Sequence, residues 1–320
     1  MYLRLFNPGV FQGSLKRRHY FEGWYFKHVT GKSDHTFTII PGISLAESDS
    51  HAFIQIMKGY TGDTVYIKYP LSGFKWDKRK LWLKIGSSVF TDRGIILDID
   101  SDNTKVSGQV NYANVIKYPG SFFSPGIMGW YTFVPFMECY HGIVSVTHDL
   151  DGKVEIDGLT VDLAGGKGYI EKDWGISFPE AWVWIQSNNF GEHDTSFSLS
   201  IAKIPWLGSF FIGFISFLYY GKKFYLFSTY NKSSVVKMEI SDDSLEIVVR
   251  NRDNILRISV IRRSFGELRA PVSGSMSRTI KESVDSQVIL ELSDKNNNIL
   301  YKGTGRNVGL EVTDPGVLKV

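Results

Sequence analysis

The stretch Phe21-Glu22-Gly23-Trp24-Tyr25-Phe26 near the start of the chain has a counterpart in the second half, Pro179-Glu180-Ala181-Trp182-Val183-Trp184. A polar turn and an alternating strand follow each: Asp34-His35-Thr36-Phe37-Thr38 after the first, Asp194-Thr195-Ser196-Phe197-Ser198 after the second. The far ends of the halves echo each other too. Ile143-Val144-Ser145-Val146-Thr147 with Asp149-Leu150-Asp151-Gly152-Lys153-Val154 matches Val288-Ile289-Leu290-Glu291-Leu292 with Asp294-Lys295-Asn296-Asn297-Asn298-Ile299. Both pairs read as hairpins that turn on Asn, Asp and Gly. Shared features in a shared order indicate an internal duplication, one unit from about 18 to about 163 and the other from about 177 to about 313.

Between these blocks the chain is a series of short β-rich runs, among them Thr36–Ile40, Val65–Tyr69, Lys80–Ile85, Leu245–Val249 and Leu256–Val260. Gly, Asn, Asp and Ser separate them and supply positive φ or Asx turns. No long helical period is visible. The expected fold is all-β: two tandem antiparallel β-barrels related by internal duplication, dividing the chain into residues 1–163 and 164–320. Barrels of this size leave an interior able to hold a ligand.

Composition narrows the function. The 36 basic and 33 acidic residues leave a net charge of +3, too balanced for a nucleic-acid partner. Phe 22, Tyr 16 and Trp 8 supply flat, rigid surface suited to lining a cavity for a hydrophobic small molecule. The lone Cys139 rules out an internal disulfide and any multi-thiolate metal site. Met1-Tyr2-Leu3-Arg4 does not lead into an apolar signal core, so a cytoplasmic protein is the expectation. Ile204–Tyr220 is the most apolar stretch, but it carries Gly208 and Gly213 and is short for a spanning helix. It leads into Tyr219–Tyr225, which reads as a hairpin. Together with Gly126–Phe136 it is a candidate for peripheral membrane contact, the alternative being ordinary barrel packing.

No nucleotide, metal or esterase signature is present. Gly165-Gly166-Lys167-Gly168 lacks P-loop spacing, the 7 histidines form no His-Glu-x-x-His, and there is no Gly-x-Ser-x-Gly. What stands out is acids set among aromatics. In a strand, Glu22 and Trp24 share one face and Tyr25 takes the other. In Glu138-Cys139-Tyr140-His141, Glu138 and Tyr140 share a face opposite His141. In Gly168-Tyr169-Ile170-Glu171-Lys172-Asp173-Trp174-Gly175, Glu171 and Asp173 share one. A carboxyl group in an apolar pocket has a raised pKa and can stay protonated near neutrality, ready to protonate a weak base such as an alkene. Nearby aromatic faces stabilise a cation. Glu22 leans to a structural role because Glu180 repeats it, whereas Asp173 and Glu138 have no twin. His141 fits a proton shuttle or a hydrogen-bonded strand histidine. Cys139 reads as a small buried residue rather than a nucleophile. Trp182 and Trp184 line core or cavity.

Several blocks resemble the tocopherol cyclase family: Tyr20–Lys27, Phe136–Gly142, Gly168–Gly175 and on through Ser177-Phe178-Pro179 to Trp182-Val183-Trp184-Ile185-Gln186-Ser187-Asn188, then Arg269-Ala270-Pro271 and Gly309-Leu310-Glu311-Val312. The resemblance covers most of the chain. It implies a double lipocalin-like fold and a cofactor-independent ring closure of a prenylated quinol, with no metal: a proton adds to the first prenyl double bond and the phenol oxygen closes on the tertiary cation. The lack of a transit-type N-terminus points to a bacterial-type member. On this reading Asp173 donates the proton, with Glu171 beside it. Glu138 or His141 takes the phenol proton. Glu22, Trp24, Tyr25, Tyr140, Trp174, Trp182, Trp184, Gln186 and Asn188 line the substrate. A non-catalytic carrier of an apolar lipid or pigment, and a hydratase that adds water to the same cation, fit the same residues.

Overall fold

The computed structural model describes residues 2–59, 61–191 and 194–318. The alternating runs become strands and almost nothing else: among the described residues the one α-helix, Tyr2–Leu5, is a single turn. Among the described residues no helix is long and apolar enough to cross a membrane. The apolar stretch from Ile204 instead divides between two strands around the Leu207-Gly208 turn, and the expected hairpin follows it across Gly221-Lys222.

In the first unit β1 (Tyr20–Val29), β2 (Thr36–Leu45), β3 (His51–Lys58) and β4 (Thr64–Tyr69) form an antiparallel meander. A second meander runs through β5 (Lys75–Trp76), β6 (Trp82–Ile85), β7 (Ser88–Thr91), β8 (Gly94–Ser101), β9 (Thr104–Ile116) and β10 (Cys139–Ile156). β11 (Leu159–Asp162) folds back on β10, and β12 (Gly166–Gly175) joins the two meanders by pairing with both β1 and β10. The second unit repeats the plan. Its sheet is built from β13 (Trp182–Ser187), β14 (Ser196–Trp206), β15 (Ser209–Tyr220), β16 (Lys223–Ser228), β17 (Ser234–Ile240), β18 (Ser244–Arg250), β19 (Asn254–Ile261), β21 (Ser275–Asp294) from Ile280 onward, and β22 (Ile299–Thr313); β20 (Gly266–Val272) and the start of β21 go with the first unit. The order β4-β3-β2-β1-β12-β10-β9-β8-β7 is matched by β16-β15-β14-β13-β22-β21-β19-β18-β17. Each sheet curls around its own apolar cluster, giving two lipocalin-like antiparallel barrels in tandem.

Three expectations need correction. The first unit is not residues 1–163: it runs through Phe178 and takes back Glu267–Thr279, because β12 finds its backbone partners on β1 and β10. Ile143–Val154 is not a hairpin but the body of one long strand, β10. There Gly152, at φ 128°, bends the strand where a Cβ would collide with the Gln109 carbonyl. The later echo is a true hairpin, with Asn297 at φ 64° in the β21–β22 turn. Finally, the aligned motifs are one residue out of register. In β1 the core takes Trp24 and Phe26, but the second core takes Ala181, just before β13, and Val183 and Ile185 within it. A one-residue slip exchanges the two faces of a strand, so Glu22 and Glu180 are not equivalent.

Candidate active site

The two faces of the first sheet do different things. The core face of β12 carries Ile170, Lys172 and Trp174, and Lys172 is wholly buried. Its Nζ lies 2.5 Å from Glu22 Oε1 and donates to the carbonyls of Pro8 and Val10 at 2.8 and 2.6 Å. Glu22, also wholly buried, accepts from the backbone of Gln12 and Gly13 at 2.8 and 3.0 Å and from Tyr20 Oη at 2.5 Å. Trp24 Nε1 donates to Gly9 O. Burial lowers the Lys172 ammonium to about 8 against the pull of Glu22. These contacts fasten the segment around residues 8–13 to the barrel, so Glu22 and Trp24 are fixing points of the fold. The Lys172 ammonium sits 4.8 Å over the Trp24 ring and 4.6 Å over Trp174, so both indoles already hold a cation. Tyr140 stacks on Trp174 at 5.6 Å and donates to Val134 O. The acid of this face, Glu22, is already engaged by Lys172, Tyr20 and the backbone of Gln12 and Gly13.

The opposite face carries Tyr169, Glu171 and Asp173 of β12 and His141 of β10, aligned by the register that sets His141 against Asp173. His141 Nδ1 is 2.8 Å from Asp173 Oδ1, and its Nε2 is 3.7 Å from Glu171 Oε2. Tyr169 Oη donates to the same Glu171 oxygen at 2.6 Å. The His141 Nε2 atom is buried and makes no hydrogen bond among the described residues. Burial opposes a charge on His141, but Asp173 and Glu171 outweigh it and lift the imidazole to about 9. That favours the imidazolium at neutral pH, with Nδ1–H donating to Asp173 and the Glu171 carboxyl facing Nε2.

One ligand atom from each of His141, Glu171 and Asp173 falls within 4.8 Å of the others, so these are the residues that would hold a metal. The side chains are spent on one another, however: Asp173 on His141 and Glu171 on Tyr169. The arrangement fits a held proton better than a cation.

The structure thus brings His141, Asp173 and Glu171 together, and Tyr25 lies across from Glu171 on the same face. Glu138 is not in the trio. It precedes β10, and its carbonyl accepts from Ile176 N. Burial, then Asp173 and Glu138, push the Cys139 thiol well up, which suits an inert residue. Trp182, Trp184, Gln186 and Asn188 belong to the second unit. There Trp182 Nε1 donates to Glu311 Oε2 at 2.6 Å, and Gln186 Nε2 lies 3.4 Å from Asn188 Oδ1. Glu311 lies across from Glu282, a wholly buried acid that no motif marks.

The fold is thus that of a double lipocalin-like protein, two curled antiparallel barrels in tandem. The family profile for tocopherol cyclase-like proteins matches residues 87–314, and the chain belongs to that family. A rice protein (Oryza sativa subsp. japonica) named "Probable tocopherol cyclase, chloroplastic" is 24% identical over 196 residues, 58% of this chain and 41% of its own. The chloroplastic tocopherol cyclase of Zea mays is 35% identical over 74 residues, 23% of this chain and 16% of its own. The chain thus matches less than half the length of either relative. Among solved structures, CghA superposes with a TM-score of 0.56 at 10% identity, covering 92% of this chain and 88% of that one. An AttH-type protein of Nitrosomonas europaea gives 0.51 at 12%, covering 91% and 92%. At such identities these likenesses speak for the fold.

Proposed function

We propose that this protein is a cofactor-independent cyclase of a prenylated quinol or similar isoprenoid, and that the Asp173–His141 pair supplies the proton. The observation that carries the reading is the 2.8 Å bond from His141 Nδ1 to Asp173 Oδ1. A shift of the proton along it turns imidazolium and carboxylate into neutral imidazole and carboxylic acid. The acid is the stronger donor, and Glu171 beside Nε2 favours the tautomer that keeps that nitrogen protonated. Asp173 gives its proton to the alkene, whose π electrons form the new C–H bond and leave a tertiary cation. The phenol oxygen forms the C–O bond, and its proton returns to the Asp173–His141 pair, restoring the starting state. Family membership supports the chemistry and the trio supports its placement.

Replacing Asp173 by Asn keeps the size and removes the acid. Turnover of a prenylated hydroquinone is expected to fall by about 10²–10⁴-fold, with an unchanged circular dichroism spectrum. A folded Asp173→Asn protein turning over at the wild-type rate would exclude Asp173 as the donor.

A further inference from the structure

On the face that carries the trio, each strand presents every second residue. Across from Asp173 stands Gly23, and across from Gly23 stands Gly42. The space above Gly42 is taken by the ring of Phe53, its partner on β3. The space above Gly23 is not taken. A Cβ placed there meets only Ile40 Cγ2 at 3.6 Å and Phe53 Cζ at 3.8 Å, both ordinary contacts. Phe21 and Tyr25, buried neighbours two residues away along β1, stand on either side.

A second, independent observation concerns exposure. Every residue of β1 is buried except Gly23, and every residue of β2 is buried except Ile40. Asp173 keeps 22% of its side chain accessible and His141 13%. The partly open positions are thus neighbours in space: a hollow floored by backbone, walled by Phe21, Tyr25, Phe53 and Ile40, with Asp173 at its edge. Glycine within a strand marks a close approach of backbone to something else. Beside an acid and among aromatic walls, the fitting occupant is a small, flat, apolar group.

We infer that the hollow over Gly23 is the subsite that receives the reacting double bond, and that Phe21, Tyr25 and Phe53 face the cation formed there. This rests on the cyclase reading. It replaces Trp24 and Trp174, whose rings are turned to the other face and hold Lys172. The lack of a side chain at Gly23 sets how large a group the acid can reach.

The test is the series Gly23→Ala, Gly23→Val and Gly23→Leu. Strand propensity favours the larger residues over glycine, so folding is expected to hold, with thermal unfolding checking it. Two readouts are taken: turnover of a prenylated hydroquinone, and binding of its saturated-chain analogue by tryptophan fluorescence. The inference expects a graded loss, modest for Ala and on the order of a hundredfold in kcat/KM for Leu. The His141 titration measured by NMR should not move. Binding of the saturated analogue should weaken in parallel, and this holds even if the wild type proves to be a carrier without turnover. A Leu variant that cyclises and binds like wild type would overturn the subsite while leaving the cyclase reading intact. A wild type that neither binds nor turns over the probes would overturn both.

Discussion

His141 shows how a residue's surroundings set its chemistry. Burial alone would keep an imidazole neutral, as it does for His28, held down to about 3. His141 differs because β12 sets Asp173 and Glu171 against it. Its pKa in the folded protein, about 9, lies above the ordinary 6.5. Its contribution to stability is therefore fully present below pH 6.5 and is lost as pH rises through 9, amounting to on the order of 3 kcal/mol. Lys172 acts in the opposite sense higher up. Its pKa is lowered to about 8 from 10.5, so stability recovers between those values. The two are separated by comparing wild type with His141→Gln. The variant should lose the decline between pH 6.5 and 8 in thermal unfolding, and NMR of the wild type should show the ring titrating near 9. An ordinary midpoint near 6.5 would mean that the carboxylates do not hold the proton.

Strands decide which of these residues meet. Alternation along β12 is enough to read that Glu171 and Asp173 go together. What alternation cannot supply is which face turns to the core, and both faces here are apolar enough to be buried. The motif pair Glu22-Gly23-Trp24 and Glu180-Ala181-Trp182 therefore looks equivalent when it is not. Glu22 is sealed in with Lys172, whereas Glu180 is 64% exposed in its pair with Lys203. Glu22→Gln, which strands a buried ammonium, should cost about 3–5 kcal/mol in denaturant unfolding. Glu180→Ala should cost no more than about 1 kcal/mol. Equal costs would restore the in-register alignment. The hairpin expected at Asp149–Val154 fails for a related reason: Asp and Gly signal a turn, but Gly152 stays in the strand, paired with Val110 of β9 and accepting from Leu163 N. Gly23 is legible as a glycine inside a strand, but its meaning depends on Gly42 and Phe53, which only the register brings alongside.

At the scale of the whole molecule, the duplication read from order and spacing survives as the repeated strand sequence of the two sheets. Its boundary does not, since β12 completes the first barrel. The aromatic wealth is put to several uses. Some of it packs the cores, some cages Lys172, and some stays outside: Phe122, Phe123, Trp130, Phe133 and Phe136 are all exposed around the Gly129–Phe133 turn that precedes β10. The acid-bearing face is built wholly within the first unit, from strands that also hold its core. This lets a rigid sheet fix the 2.8 Å bond on which the proposed chemistry depends. The most direct test of that chemistry is incubation of the protein with a prenylated hydroquinone in heavy water, followed by mass spectrometry of the product. The account predicts an isomer of the substrate carrying one carbon-bound deuterium, formed by wild type and not by Asp173→Asn. A product that has also gained water, or a substrate recovered unchanged from a tight complex, would contradict it.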